Sequence, residues 1–373
     1  MTRTSRRRLL AALGGGTAAL AGCTGPADPS GDDSSSPEDG GDGTKSGTES
    51  SSDGVPVADE RLPLPMAPSE LHEEARSGGP PKDGIPSIDD PSFVDPEEVD
   101  FMTPGDPVFG VARGGVVRAY PQLILAQHEI VNDVIAGDPV AVTYCPLTGT
   151  VQGFERGGTT FGVSGRLINN NLVMYDRETE TWWPQMLATS IPGPWNDDPD
   201  IESLREFRLV WTTWERWRTH RPETTVLSTD TRSAKNYGRD PYGGYNPKTG
   251  YYANDSLLFP ALGDDDIFNR KTVVMGARTP RDAAAFLKES LRSERLMTGE
   301  IGDSPVLAVY DDRLDTAYVY RNPEAAAFEW DGNEVVGDGG RYAPDELPLE
   351  RIHTFDAMWF AWAGYYPDTN IYE

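Results

Sequence analysis

The sequence predicts an α+β fold that is dominated by β-strands and built from two homologous halves in a pseudo-two-fold arrangement. Short runs rich in β-branched and aromatic residues, separated by turns that contain glycine, recur between residues 108 and 373 and are typical of strands. Three blocks also occur twice in the same order: VFGVAR and VVMGAR, GDPVAVTY and GDSPVLAVY, and two WxxW segments. A repeat period this long indicates duplicated half-domains rather than a solenoid.

Each half is predicted to contain short strands, one helix, more strands and a short tryptophan-bearing helix. Residues 121–136 predict the clearest helix, because proline lies in the first turn, glycine follows the last residue and the apolar side chains form one stripe. The segments predicted to form strands in the first half are 139–144, 151–155, 160–164 and 172–175. Thr212 and Glu215 have capping-box spacing, which predicts the start of a helix that carries Trp214 and Trp217.

The first residues carry the features of an export signal. Arg6 and Arg7 follow Ser5 and precede an apolar run, as in the twin-arginine motif, and this run is too short to span a bilayer. The sequence LAGC ending at Cys23 is typical of a lipobox, in which cleavage makes the cysteine the lipidated first residue. We therefore expect a signal peptide over residues 1–22 and a lipid anchor on Cys23 at the outer face of the cytoplasmic membrane.

Composition divides the mature chain into four segments. Residues 23–60 hold the lipidated cysteine and an acidic Ser/Gly/Asp tether with too few apolar residues to fold. Residues 61–107 are rich in proline and are expected to wrap the domain in extended form. The first half, with the candidate site, is assigned to residues 108–260, and a degenerate second half to residues 261–373.

The charge of the chain excludes nucleic acid as an expected partner. There are 60 acidic residues against 33 lysines and arginines, for a net charge of −27, and such a field repels phosphate backbones. Only six of the cationic residues are lysines. An acidic surface with few lysines is typical of proteins whose self-repulsion is screened by concentrated salt. The sequence thus predicts a halophilic protein, with an acidic mesophilic surface protein as the alternative.

The second cysteine is the main chemical candidate. Cys145 has no disulfide partner within the chain, because Cys23 is expected to carry lipid. A thiol exposed outside the cytoplasm is oxidised, so Cys145 is either buried in the core or used in a chemical reaction. His128 lies on the helix that feeds the strand ending at Cys145, and connected elements usually pack together. Cys145 as nucleophile and His128 as base are therefore the catalytic candidates; the alternative is an inert cysteine and a histidine bonded to a carbonyl.

A cleft in the first half is expected to bind a small molecule or a protein partner. Its candidate lining residues are polar side chains of the first half: Asn132, Tyr144, Ser164, Asn171, Asp176 and Arg177. No metal ligands are assigned, because the four histidines share no ligand spacing, and no cofactor is identified. The glycine- and tyrosine-rich loop at residues 237–245 either lines a ligand cleft or lies at the surface.

Five segments of the first half carry a family resemblance: HEIVND at 128–133, PVAVTYCPL at 139–147, FGVSG at 161–165, LVMYDR at 172–177 and the loop at 237–245. Together they resemble the domain of unknown function 3179 family, here as a haloarchaeal-type twin-arginine-exported lipoprotein. The resemblance covers residues 82–373 and implies an exported or membrane-associated protein without an assigned activity. Relatives typically read Cys-Pro-Leu-Cys, whereas this chain has Thr148 as the last of these residues, so any chemistry of a thiol pair is absent.

These observations leave three functional interpretations. The leading one is a membrane-anchored extracytoplasmic lipoprotein that binds a small ligand or partner in the first half. The second is a thiol-dependent enzyme that uses Cys145 and His128, and the third is a metal-binding protein. The sequence does not decide whether the protein is an enzyme.

Overall fold

A computed structural model describes residues 54–263 and 265–373 of the chain. The predicted signal peptide, Cys23 and the tether up to residue 53 lie outside the described residues. Strands make up 39% and helices 13% of the structure, which confirms the prediction of a strand-dominated fold with few helices.

Five α-helices lie within residues 54–263 and 265–373: α1 (Pro68–Glu73), α2 (Gln122–His128), α3 (Trp214–His220), α4 (Lys288–Glu294) and α5 (Trp359–Tyr365). Two 3-10 helices span Pro96–Glu98 and Gly250–Ala253. None of the helices in this part of the chain has the length and apolar character that a bilayer crossing requires.

The strands of the described residues are short. Those up to the end of the first half are β1 (Arg76–Ser77), β2 (Phe93–Val94), β3 (Pro107–Arg113), β4 (Val116–Pro121), β5 (Ile130–Ile135), β6 (Asp138–Cys145), β7 (Thr150–Glu155), β8 (Phe161–Ile168), β9 (Asn171–Asp176), β10 (Trp182–Pro184), β11 (Glu206–Phe207), β12 (Val210–Thr213) and β13 (Thr225–Leu227). The remaining strands are β14 (Val273–Arg278), β15 (Ala283–Leu287), β16 (Leu296–Ile301), β17 (Ser304–Asp311), β18 (Thr316–Arg321), β19 (Phe328–Asp331), β20 (Glu334–Gly337), β21 (Gly340–Tyr342), β22 (Arg351–Ile352), β23 (Thr354–Met358) and β24 (Asn370–Tyr372).

The strands form six sheets in the described part of the chain. Three belong mainly to the first half, with strand orders β12-β3-β4-β13-β2, β11-β7-β6-β5 and β1-β8-β9-β10. The second half contains β23-β14-β15-β24, β16-β17-β18-β22 and β19-β20-β21. The order β12-β3-β4-β13 matches β23-β14-β15-β24, and in each the last strand pairs in parallel with its neighbour.

A glycine and a tryptophan meet in the same way in both of these sheets. Gly110 on β3 lies against the ring of Trp217, and Gly276 on β14 lies against the ring of Trp362. A Cβ atom at either glycine would overlap with the indole. Both tryptophans are almost fully buried, so each glycine leaves the space in which a large core side chain packs.

The predicted helix over residues 121–136 is wrong in its second part. The helix ends at His128, and residues Ile130–Ile135 form strand β5, which pairs antiparallel with β6. Ala136 and Gly137 both have positive φ, at 53° and 92°, as the two-residue turn of a hairpin requires. The β-branched residues of this segment favour the strand, and Gly137 belongs to the hairpin turn rather than to a helix end.

Helix α3 begins one residue later than the capping box predicts. Its N-cap is Thr213, whose hydroxyl accepts a hydrogen bond from the Arg216 backbone N–H at 3.4 Å. Thr212 instead pairs with Val108 inside β12 and is buried. The strand therefore continues through the residue that the sequence pattern assigns to the cap.

Residues before β3 lie against the first half. Strand β1 pairs with β8, and β2 pairs with β13. Between these strands, Ile88 is tied to β5: its N–H donates to the Ile130 carbonyl at 2.9 Å, and its carbonyl accepts from the Asn132 N–H at 2.8 Å. These contacts place the segment over the cavity described next.

Candidate functional site

A cavity of about 270 Å³ lies in the first half. Most of its wall is apolar and comes from residues before β3, from β8 and β9, and from the loop that contains Leu258 and Phe259. Glu129, Cys145 and Tyr242 bring a carboxyl, a thiol and a phenol to this wall, and the exposed Arg166 adds a guanidinium. A small apolar cavity with a few convergent polar groups is the usual form of a ligand site. We refer to it as the Glu129–Cys145 cavity.

The backbone fixes Glu129 at the junction of α2 and β5. Its N–H donates to the Leu125 carbonyl at 2.7 Å and ends the helix, while its carbonyl accepts from the Tyr144 N–H at 2.7 Å. Its φ of 59° lies in the left-handed region, where a residue with a Cβ carries a conformational cost. Both neighbouring elements therefore hold Glu129 in a conformation that glutamate does not favour.

The carboxyl of Glu129 is buried without a protein partner. The residue is 6% exposed, and no hydrogen bond or ion pair to its carboxyl occurs within the described part of the chain. Burial raises the pKa of this carboxyl to about 8, because the charged form loses its hydration. Near neutral pH Glu129 is therefore mainly protonated, and its O–H can donate a hydrogen bond into the cavity.

Cys145 lies at the end of β6 and is 1% exposed. Its Sγ donates a hydrogen bond to the Asn170 carbonyl at 3.4 Å. Burial and the neighbouring Glu129 carboxyl raise the pKa of the thiol to about 11, while a hydrogen bond from the Thr148 side chain acts in the opposite direction. The thiol is therefore neutral near pH 7, although nucleophilic catalysis uses the thiolate.

The structure does not pair His128 with Cys145. The Nδ1 atom of His128 donates to the Pro86 carbonyl and its Nε2 accepts from the Tyr237 hydroxyl, each at 2.6 Å. Burial lowers the pKa of this imidazole, so the ring is neutral and both nitrogens are occupied. The helix ends immediately after His128, and the expected packing of helix on strand brings Glu129 rather than the imidazole to the thiol.

Two further predicted site residues support neighbouring backbone and side chains. Asn132 lies on β5, where its side chain donates to Asp89 at 2.6 Å and exchanges two hydrogen bonds of 2.9 Å with the backbone of Phe161. Tyr144 is fully buried, and its hydroxyl accepts from Gln122 at 3.2 Å. Neither side chain lines the Glu129–Cys145 cavity.

Three more predicted residues belong to buried polar contacts on β8 and β9. Ser164 donates to the Val173 carbonyl beside the irregularity in β8. The Asn171 side chain donates to Gln185 at 2.9 Å, and Asp176 accepts from the indole N–H of Trp183 at 3.0 Å. Each of these groups has a hydrogen-bond partner inside the core, as buried polar groups must.

Arg177 ties the residues before β3 to the first half. Its guanidinium donates to Asp89 at 2.9 Å, to Ser87 at 2.9 Å and to Asp83 at 3.3 Å. With these partners it holds the segment over the cavity rather than facing a ligand. Of the residues predicted for the site, only Cys145 lines the Glu129–Cys145 cavity.

Within residues 54–263 and 265–373, no group of three or more His, Cys, Asp or Glu side chains is arranged to hold a metal ion. The Thr148 hydroxyl shares a 2.8 Å hydrogen bond with Thr150 and accepts from the Asn171 side chain at 3.1 Å. The hydroxyl therefore belongs to a buried hydrogen-bond network with Thr150 and Asn171.

Comparison with known proteins identifies the family of the chain. A family model described as "Protein of unknown function (DUF3179)" matches residues 82–369. The chain belongs to the DUF3179 family. The match confirms the resemblance given by the five sequence segments. No curated protein and no solved structure matches the chain.

The DUF3179 segments meet at the Glu129–Cys145 cavity. HEIVND contributes Glu129, PVAVTYCPL contributes Cys145, FGVSG contributes Gly165, LVMYDR contributes Leu172 and the loop at 237–245 contributes Tyr242. These segments span more than one hundred residues of sequence, and each supplies at least one lining residue. The cavity is therefore the common meeting point of the five segments that carry the family resemblance.

Sequence reasoning missed Glu129, although it named the adjacent histidine. Glu129 is not among the apolar residues of the helix predicted over residues 121–136, so the predicted helix does not single it out. The available signal was its position directly before the β-branched residues Ile130 and Val131, because a carboxyl beside a buried β-branched run is costly unless it has a function.

Proposed function

We propose that this DUF3179 protein is an extracytoplasmic lipoprotein that binds a small, largely apolar ligand in the Glu129–Cys145 cavity. The observation that carries the proposal is the convergence of all five family segments on the wall of this cavity. Apolar walls enclose the body of the ligand, and the protonated Glu129 carboxyl donates a hydrogen bond to a carbonyl or ether oxygen on it.

Binding is favoured over a thiol-dependent reaction by the contacts of the two candidate groups. The pKa of Cys145 is raised to about 11, whereas nucleophilic cysteines have lowered pKa values. The expected base, His128, has both nitrogens in hydrogen bonds to Pro86 and Tyr237. A neutral thiol beside a protonated carboxyl offers a polarizable wall and a donor for a bound molecule.

The location of the protein in the cell is proposed from its first residues. Arg6 and Arg7 direct export by the twin-arginine route, and lipid on Cys23 holds the protein at the outer face of the cytoplasmic membrane. The net charge of −27 with only six lysines supports a halophilic setting. Membrane lipid is the partner of the anchor, and the cavity faces small molecules outside the cytoplasm.

We also propose that the two halves descend from one duplicated unit and are related by a pseudo-two-fold axis. The matching strand orders and the two glycine–tryptophan contacts support this relation. Arg295 has the place of Glu129, since both follow a helix with positive φ, and Asp311 has the place of Cys145 at the end of its strand. The second half therefore lacks the cavity's carboxyl and thiol.

The ligand chemistry is tested with a pair of probes that share a shape. Cyclohexanone and methylenecyclohexane differ in the oxygen that would accept from Glu129, and their affinities are measured by isothermal titration calorimetry. Wild-type protein and Glu129→Gln, which keeps a donor, are expected to prefer the ketone by about tenfold, as one hydrogen bond allows.

Glu129→Leu removes the donor and is the matched variant of this pair. It is expected to bind both probes with equal affinity, because the apolar wall remains. A wild-type protein without preference for the ketone, or a preference that persists in Glu129→Leu, contradicts the proposal.

A further inference from the structure

A second cavity, of about 210 Å³, is lined by residues of both halves. Lys248, Lys271, Lys288 and Arg292 lie in its wall. Half of the six lysines of the chain thus line one cleft of a molecule with a net charge of −27. Such a concentration of positive charge in an acidic protein raises the local concentration of small anions. We refer to it as the lysine cleft.

Two of the four cations are paired with carboxylates. The ammonium of Lys288 lies 2.6 Å from Asp356, and both side chains are less than one-tenth exposed. The guanidinium of Arg292 donates to both oxygens of Asp315, at 2.8 and 2.9 Å. These pairs neutralise one another and form a fixed polar wall.

The other two cations have no carboxylate partner in the described part of the chain. Lys271 is buried, donates to the carbonyls of Tyr251 and Ser256 at 2.6 and 2.7 Å, and lies 3.2 Å from the Tyr251 ring centroid. An ammonium has three donors, so one remains. Lys248 is exposed at the rim and forms no ion pair within these residues. The wall of the cleft therefore holds two cations without an ion pair among the described residues; burial lowers the pKa of Lys271 to about 8, and the Asp255 carboxylate nearby favours its charged form.

Aromatic rings form another part of the wall. Trp211 makes edge contacts with Phe109 and Tyr245, each with ring centroids 5.1 Å apart. Tyr245 in turn stacks on Tyr252 at 4.0 Å. Trp211, Tyr245 and Tyr252 all line the cleft. These mutual contacts hold the rings in place and offer a surface for a flat apolar group.

We propose that the lysine cleft binds a small aromatic carboxylate, whose carboxylate lies between Lys271 and Lys248 and whose ring packs against Trp211 and Tyr245. The volume fits this class, because a cavity of about 150 Å³ holds benzene and the cleft measures about 210 Å³. The lysine cleft shares no lining residue with the Glu129–Cys145 cavity. It is thus a second site, independent of the function proposed above.

The test uses benzoate as probe, in calorimetric titrations of the full chain. Benzamide has the same ring without the charge, acetate has the charge without the ring, and inorganic phosphate is an anion of different geometry. Benzoate is expected to bind at least tenfold more tightly than any of the three, since it alone meets both parts of the wall. Equal affinity for benzamide or for phosphate would overturn the proposal.

Lys248→Met tests the charge at an exposed position that does not support the fold. It is expected to weaken benzoate binding by about tenfold, as the loss of one charge-assisted hydrogen bond predicts. Lys235→Met is the matched control, because Lys235 is also exposed and lies outside the cleft; it should leave the affinity unchanged. Unchanged affinity in Lys248→Met would overturn the assignment.

Lys271→Met removes the buried cation and is expected to weaken binding more strongly than Lys248→Met. Its thermal unfolding is recorded in parallel. If Lys271→Met does not fold, the affinity of Lys248→Met for benzoate decides the proposal. Glu129→Leu should bind benzoate as wild-type protein does. Loss of benzoate binding in Glu129→Leu would contradict the independence of the two sites.

Discussion

At the scale of single residues, the Glu129 carboxyl and the Cys145 thiol are the groups that give the wall of the first cavity its chemistry. Cys145 was identified because it is the lone thiol of the expected mature chain, and the structure places it in the cavity wall. Asn171 and Asp176 were selected for their polarity, but both are fully buried and bonded to other core groups. A sequence does not distinguish a polar group that binds a ligand from one that satisfies a buried neighbour, because both lie between apolar residues.

The Glu129 carboxyl is expected to make stability depend on pH. Its pKa is about 8 in the folded state and about 4.3 in an unfolded chain, so the folded state binds the proton more tightly. The stability that the protonated carboxyl contributes is fully present below pH 4 and is lost as pH rises through 8. Between these values the free energy of unfolding falls by up to about 1.4 kcal/mol per pH unit. Urea unfolding at a series of pH values measures this dependence of stability on pH.

Glu129→Gln is the control for this dependence, since an amide does not titrate. Relative to wild-type protein, the variant is expected to gain stability steadily from pH 5 to pH 8. If the difference between the two proteins does not change over this range, Glu129 is ionised in the folded state and the account of its carboxyl is wrong.

The Cys145 thiol is expected to react slowly with iodoacetamide at pH 7. With a pKa of about 11, only about one molecule in ten thousand carries the thiolate at this pH. Alkylation of a Cys23→Ser chain, followed by mass spectrometry, should be slow in buffer and fast in denaturant. Rapid labelling of the folded protein at pH 7 would restore the thiol-enzyme interpretation.

At the scale of elements, the strands were predicted well and the first helix was not. Residues 139–144 lie within β6 as expected, because a run of β-branched side chains between turns has few alternatives. The stripe over residues 121–136 fits a helix equally well by periodicity, yet it divides at Glu129 into α2 and β5. Pairing with β6 favours a strand over a helix for residues 130–135. Local periodicity does not reveal such tertiary contacts.

The glycine–tryptophan contacts predict matched effects in the two halves. Gly110→Ala and Gly276→Ala each force a Cβ into an indole ring, and overpacking of this kind costs about 1–3 kcal/mol. Gly158→Ala is the control, because no heavy atom lies within 4 Å of its added Cβ. Denaturant unfolding should show two similarly destabilised variants and an unaffected control; unaffected stability in either core variant would show that the contact is not tightly packed.

At the scale of the whole molecule, the sequence predicts a location more directly than it predicts a ligand. The proposed export motif and lipobox are local sequence signals, so their prediction requires no knowledge of tertiary contacts. The cavity, in contrast, is assembled from segments between residues 78 and 259. Its lining became apparent only when those segments were brought together by the sheets.

The anchor predicts where the protein is found in cells. Cys23→Ser is expected to move the protein from the membrane fraction to the medium, because the lipid has no other attachment site in the expected mature chain. Cys145→Ser should stay with the membrane and is the matched control. Immunoblots of the two fractions measure this. Retention of Cys23→Ser at the membrane would contradict the proposed anchor.

A crystal structure of the protein soaked with cyclohexanone tests the central claim most directly. The account predicts the ketone inside the Glu129–Cys145 cavity, with its oxygen within hydrogen-bond distance of the Glu129 carboxyl and its ring against the apolar wall. A cavity that stays without the ketone at saturating concentration, or a ketone whose oxygen faces away from Glu129, would contradict it.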